Sequence, residues 1–231
     1  MIENTAIDAM FNAGAHFGYS RARRHASIKP YLFGAKNGVD IIDLTETSKM
    51  LDAAKARVYE LGKLGKLVLF VGTKHEIKDL VEEAAKSLGM PYVTERWVGG
   101  MLTNWSEIKK RTGRLKELSE KFSKGELDKY TKMEKLLFER EMGRLQTEFG
   151  GIAMLEGAPA AIVIFDPREE HIAATEAKKM KVETIAIANT DCDISKITYP
   201  VIANDSALLS VKFFLAQIGE AYEAGKKSRP V

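Results

Sequence analysis

Two hydrophobic periodicities alternate along this chain. Short all-apolar runs lie at Leu67–Val71 and Ala160–Phe165, and Thr184–Ala188 reads as a third strand. Amphipathic stretches stand between and around them. Over 45–61 the residues Met50, Leu51, Ala54, Val58 and Leu61 fall on one helical face, and 76–88 reads as a second helix ended by Gly89 and Pro91. The pattern also predicts helices over 169–180 and 206–222 and short strands over 91–93 and 200–202. Strands apolar at every position, alternating with helices, indicate a parallel sheet buried on both faces. The fold class is therefore α/β, a doubly wound parallel sheet.

The chain opens with a helix capped at Asn4 or Thr5, with Ile7, Met10 and Phe11 on one face. From Ala15 to Gly38 it reads as loop, although the runs 31–33 and 39–42 can pair across the turn dipeptide Asn37-Gly38. The alternation then breaks. No strand signal occurs from Asn104 to Phe149; two helices fit, 104–122 and 131–149, turning around Lys124-Gly125-Glu126. Ile108, Leu115 and Phe122 recur at spacing seven, and Phe138, Met142, Leu145 and Phe149 at spacings of four, three and four. This is a coiled-coil pattern. The expected organisation is a discontinuous sheet domain (1–103 and 150–225), a projecting helical hairpin insertion (104–149) and a mobile basic tail (226–231).

Composition narrows the class. The chain has 231 residues, 45% hydrophobic, enough for a real core. Its single cysteine, Cys192, excludes an internal disulfide and a multi-cysteine zinc site, and fits a reducing compartment. The first ten residues carry Glu3 and Asp8 and lack a signal peptide's basic start, and no run approaches a membrane span. A soluble, cytoplasmic protein is expected.

Net charge is only +3, so the distribution of charge matters more than its sum. Between Asp8 and Asp40 there is no acidic residue, whereas Arg21, Arg23, Arg24, Lys29 and Lys36 all fall there, interleaved with Phe17, Tyr19 and Tyr31. Guanidinium and ammonium groups suit phosphate oxygens, and rings suit sugars or exposed bases. The first hairpin arm is basic too, with Lys109 and Lys110 near its start; an ordinary solvated helix face explains that arm equally well.

Catalytic signatures are weak. The turn after the first core strand, Gly72-Thr73-Lys74-His75, lacks the glycines of a Walker or dinucleotide loop, although Thr73 and Lys74 could meet one phosphate at a helix N-terminus. Acidic neighbours disfavour a Cys192 thiolate. His16, His25, His75 and His171 show no metal-pair spacing. Asp166, Asp191, Asp193 and Asp205 gather near strand ends, where capping and turn formation explain them better than a metal. Neither a metal nor a cofactor is implied.

The segment Arg96-Trp97-Val98-Gly99-Gly100-Met101-Leu102-Thr103-Asn104-Trp105 stands apart: two glycines between tryptophans, then Asn104 as a helix cap. It reads as a tight junction where the hairpin leaves the sheet. Arg96–Asn104 also resembles the most characteristic block of the bacterial-type small-subunit ribosomal protein 2 family. His16-Phe17-Gly18, 29–34, Asn37-Gly38 with 41–44, 70–74, Gly150-Gly151-Ile152, Pro159 before the strand ending at Asp166, and Asn204-Asp205 agree in the same order. The resemblance covers about 9–216. It departs at Tyr19, where the family often has a second histidine, at Arg24-His25-Ala26, at Val182-Glu183, at Asn189-Thr190-Asp191, at Ala203, and in a short basic C-terminus.

The resemblance implies a flavodoxin-like sheet with a coiled-coil hairpin. It also implies a non-catalytic role between the head and body of the small ribosomal subunit, touching rRNA and neighbouring proteins, and holding small-subunit ribosomal protein 1 where that protein exists. The candidate phosphate contacts are Arg21, Arg23, Arg24, Lys29, Lys36, Lys74, Arg96, Lys109 and Lys110. The competing reading is a small α/β enzyme that binds a nucleotide or phosphate at Gly72-Thr73-Lys74.

Overall fold

The computed structural model describes residues 2–229. Its centre is a five-stranded parallel sheet in the order β5 (Tyr92–Val93), β4 (Val68–Val71), β6 (Ala161–Phe165), β7 (Glu183–Ala188) and β8 (Tyr199–Ile202). Counted along the sheet's own strands this is 2-1-3-4-5, the flavodoxin-like order. Every residue of β4 and β6 is buried, as their unbroken apolar sequence requires.

Alternate residues feed two cores. Val68, Phe70, Val163, Phe165, Ile185, Ile187 and Val201 pack with α2 (Leu44–Lys63), α3 (Lys78–Leu88) and α7 (Leu208–Lys227). Leu69, Val71, Ile162, Ile164 and Ala186 pack on the other face with α6 (His171–Met180), α4 (Trp105–Ser123) and α5 (Lys132–Phe149). The last two are the predicted hairpin arms. The bases of these arms do not stand off the sheet: Ile108, Leu115, Leu118, Leu145 and Phe149 are buried in the same cluster as the strand residues. They form part of the covering layer in the β5-to-β6 crossover. Only towards the tip do apolar residues emerge, Phe122, Leu136 and Leu137 among them, so the spacing-seven series leaves the core at Phe122. Arg114 ties the arms together by donating to both carboxylate oxygens of Glu141 at 3.1 Å.

The stretch predicted as loop is a second, smaller sheet. β1 (Phe17–Ser20), β2 (Leu32–Lys36) and β3 (Val39–Ile42) pair antiparallel in the order β1-β3-β2. Asn37 and Gly38 both take positive φ, 52° and 79°, in the expected two-residue turn. Sequence reading missed β1 because the strand has only four residues and glycine at its second position. Other element ends moved slightly. Helix α1 (Ile2–Asn12) begins before Asn4 and Thr5, which are therefore helical residues and not caps. Lys226 and Lys227, expected in a mobile tail, form the last turn of α7, while Pro230 and Val231 lie outside the described residues.

Helices α2 and α7 approach closely through two glycines. A Cβ at Gly62 would land on the carbonyl of Tyr222, and one at Gly225 on that of Tyr59. By contrast, Gly113 in α4 and Gly143 in α5 face open space. Gly225→Ala should therefore lower stability by about 2 kcal/mol despite its better helix propensity. Gly143→Ala should raise stability by up to about 1 kcal/mol. Urea unfolding of the two variants checks the pair, and equal shifts would refute the close-crossing argument.

Candidate nucleic-acid interface

The carboxyl ends of β4, β6, β7 and β8 converge, which is where open α/β sheets usually bind ligands. Here the chain's own side chains fill the place. Lys74, after β4, puts its ammonium 2.5 Å from Asp166 Oδ2 and 3.3 Å from Asp205 Oδ2, and its side chain is only 16% exposed. Burial pulls the Lys74 pKa down, but the two carboxylates outweigh it and hold it above the ordinary lysine value. The Thr73 N–H, which a phosphate would have used, donates to Glu170 Oε1 at 2.8 Å. Asp191 Oδ2 receives Arg168 at 2.5 Å and Arg23 at 3.3 Å.

Asp166 has φ of 60° and caps the turn before α6, accepting from the N–H groups of Arg168 and Glu169 at 3.0 and 3.3 Å. Asp193 likewise accepts from the Ser195 N–H at 3.0 Å. Both fit the capping role read from sequence. Asp166, Cys192 and Asp205 each bring one donor atom within 4.8 Å of the others, and the cation placed beside the two carboxylates is the Lys74 ammonium. The Cys192 thiol is buried, and burial followed by the neighbouring carboxylates pushes its pKa up, so it stays protonated.

The small sheet lies against this edge. Gly18 sits so close to Thr190 that a Cβ there would come within 2.5 Å of its methyl group. The Tyr19 N–H donates to Thr190 Oγ1 at 2.9 Å, and the His25 N–H to the Thr190 carbonyl at 2.8 Å. Ile28, Ile42 and Ile202 seal the contact with a small apolar cluster.

A second carboxylate organises the tryptophan loop. Glu176, on the buried side of α6, accepts from Trp97 Nε1 (3.2 Å), from the N–H groups of Gly100, Leu102 and Thr103 (2.7, 3.0 and 3.0 Å), and from Thr103 Oγ1 (3.0 Å). Burial alone would raise its pKa; the donors outweigh it and hold the carboxyl below the ordinary glutamate value. Gly100 takes φ of 96°, whereas Gly99 has room around it and an ordinary φ. Asn104 holds the cap position of α4, but its side chain makes no capping bond there. Glu176 escaped the sequence reading. Its signal was an acid three residues after Ala173 on an otherwise apolar helix face.

Comparison with known proteins agrees with this architecture. Residues 10–225 match the family described as ribosomal protein S2. The chain belongs to the ribosomal protein S2 family. Its relatives include small ribosomal subunit protein uS2 of Geotalea uraniireducens, 37% identical over 230 residues that cover 100% of this chain and 90% of that protein. The uS2 of Koribacter versatilis is 38% identical over 97% and 74% of the two chains, and that of Desulfovibrio desulfuricans 39% identical over 96% and 86%.

The nine candidate phosphate contacts of this S2-family chain divide into three groups. Arg24 and Lys74 are withdrawn from the surface set. Arg24 grips the buried Asp40 carboxylate with both Nε (2.6 Å) and Nη2, so it, like Lys74, is spent on an internal pair. Arg21, Lys29, Lys36 and Arg23 are exposed on or beside the small sheet, where the Arg21 N–H donates to the Gly38 carbonyl at 2.9 Å. Of these four, only Arg23 has an acidic partner among the described residues, and it also lies 4.5 Å over the Tyr19 ring. Arg96, Lys109 and Lys110 form a third, separate set, exposed on the tryptophan loop and the first turns of α4. Lys110 is paired with Glu107 at 2.5 Å. His171, read as a surface residue, is exposed at the start of α6.

Two measurements follow from the buried carboxylates. Glu176→Ala strands several N–H donors and should lower stability by about 3 kcal/mol, with a shift in the emission of Trp97; an unchanged urea midpoint would remove Glu176 as the organiser of the loop. Burial, reinforced by Asp166, pushes the Asp205 carboxyl up to about 6. A raised carboxyl stabilises the fold below its unfolded value and loses that contribution as pH climbs through the folded one. Asp205→Asn should therefore gain stability relative to the unsubstituted protein between about pH 4 and 6.5. A pH-independent difference between the two in urea titrations would contradict this.

Proposed function

We propose that this chain is a non-catalytic structural constituent of the small ribosomal subunit, docking on rRNA backbone and on neighbouring small-subunit proteins. One observation carries the reading. The edge where an α/β enzyme of this topology would hold its ligand is filled by Lys74, Glu170 and Arg168 and covered by the small sheet, while the unpaired cations of the acid-free segment face outward. A chain that closes its ligand edge and exposes its cations is built to be positioned by phosphates. The enzyme alternative loses its best feature, because Thr73 and Lys74 already have protein partners.

Family membership supports the same role and extends it to a seat between the head and body of the subunit, in the cytoplasm. There the α4–α5 arms would reach a second RNA or protein surface, and small-subunit ribosomal protein 1 would be one of the protein partners. Arg21, Arg23, Lys29 and Lys36 would form one phosphate-binding group, and Arg96, Lys109 and Lys110 the other. No helix among the described residues is long and apolar enough to cross a membrane.

Sucrose-gradient sedimentation of a lysate tests this. The protein should travel with the small subunit at low salt and dissociate as salt rises. Replacing Arg21, Lys29 and Lys36 together by alanine should reduce the slope of log K against log salt for rRNA binding by roughly two to three. A protein that stays at the top of the gradient at every salt concentration is not a ribosomal constituent.

A further inference from the structure

Helix α7 closes tightly on one neighbour only. Against α2, Gly62 and Gly225 let the two backbones touch. On its other flank, towards α3, a cavity of about 360 Å³ stays open. Both helices follow strands of the parallel sheet, so they run side by side in one direction. Leu80, Ala84 and Leu88, four residues apart on α3, form one wall, and Leu215, Ala216 and Gly219 of α7 form the other. Leu215 and Gly219 are buried, and the Leu88 side chain lies 3.5 Å from where a Gly219 Cβ would stand, so these three make the floor.

The groove extends at both ends. Past Leu88 it runs into a second hollow of about 410 Å³ beside Tyr222. Ahead of Lys212, the same face of α7 carries Leu208 and Leu209, 52% and 65% exposed. Exposed apolar surface of this kind, rimmed by polar residues, marks a contact site. The rim here is acidic. Glu83 of α3 and Glu220 and Glu223 of α7 line the cavity, are exposed, and pair with no cation among the described residues. Lys212 is the one cation that lines this cavity, and Lys226 and Lys227 come only in the second hollow.

The rim decides what such a groove can hold. A nucleic acid strand would bring its phosphates against three carboxylates. A second copy of this chain would set the same acids against themselves across a two-fold axis, with Lys212 alone to answer them. A helix bearing apolar side chains flanked by lysine or arginine satisfies both floor and rim, and a groove between two helices has the shape to take a third.

We propose that the α3–α7 groove docks a basic amphipathic helix of a neighbouring small-subunit protein. The proposal rests on the ribosomal reading above and names the chemistry of one protein contact: apolar anchors at spacings of three and four in the groove, and lysine or arginine against Glu83, Glu220 and Glu223. The groove lies on the opposite side of the parallel sheet from α4 and α5, so this contact is separate from any that the arms make.

The test uses the full chain and a fluorescent helical peptide of leucine and lysine with leucine on one face; the same peptide with glutamate for lysine is the reference. In anisotropy titrations the lysine peptide should bind and the glutamate peptide should not. Glu83→Lys, Glu220→Lys and Glu223→Lys together should weaken the lysine peptide about tenfold and admit the glutamate peptide. Ala216→Trp, which fills the groove from an exposed position, should weaken the lysine peptide with the urea midpoint unchanged. No binding of the lysine peptide, or undiminished binding in either variant, overturns the proposal. In assembled subunits, a photoreactive benzoylphenylalanine in place of Ala216 should crosslink to a stretch of another ribosomal protein that carries lysine or arginine beside apolar residues. A crosslink to rRNA, to a second copy or to an acidic stretch, or no crosslink, also overturns it. Comigration of the unsubstituted protein with the subunit separates these failures from failure of the ribosomal reading.

Discussion

The ammonium of Lys74 lies between the carboxylates of Asp166 and Asp205, at the point where three strands of the parallel sheet end. Much of the molecule's character depends on this contact. Two buried acids in proximity repel each other, and burial adds to the penalty. A single lysine from the first strand-to-helix turn relieves both and binds β4, β6 and β8 together beyond their last backbone hydrogen bonds. Removing one partner from such a set leaves an uncompensated buried charge, a larger loss than the net gain from forming the set. The arrangement therefore fixes the geometry of the sheet edge more than it adds stability.

A filled edge changes what the fold can do. In a doubly wound enzyme the carboxyl edge is a cleft, and backbone N–H groups there wait for a phosphate. In this chain Glu170 occupies the N–H of Thr73, Arg168 and Arg23 occupy Asp191, and β1 lies across Thr190. The sheet is thereby a rigid base for a second, smaller sheet, whose inner side packs through Ile42 and the Asp40–Arg24 pair and whose outer side presents cations and rings. Glu176 performs a comparable service on the opposite core, collecting five donors so that the loop between the tryptophans has one shape as it enters α4. Function in this family member rests on placing surfaces accurately, and buried carboxylates do much of the placing.

Several features were legible along the chain because they depend on local periodicity. The all-apolar strands, the helix stop at Gly89, the Asn37-Gly38 turn and the two arms, read as 104–122 and 131–149 and found one residue on or less, each follow from spacing or from the φ that a residue tolerates. The acid-free run before Asp40 was equally plain, and it marks the face on which unpaired cations cluster.

Pairings between distant segments were not legible. Nothing local distinguishes Arg24 from Arg21, or Lys74 from Lys36; the difference is that Asp40 and Asp205 are buried beside the first of each pair. The same holds for Glu176 and for β1. The sequence by itself determined the types and order of the elements of the large sheet and its helices, the family and the basic segment, because hydrophobic period and turn chemistry act over a few residues. Only the tertiary structure decided which charges are spent internally and which remain for a partner, because that depends on long-range neighbours and on burial, which strengthens every unscreened pair.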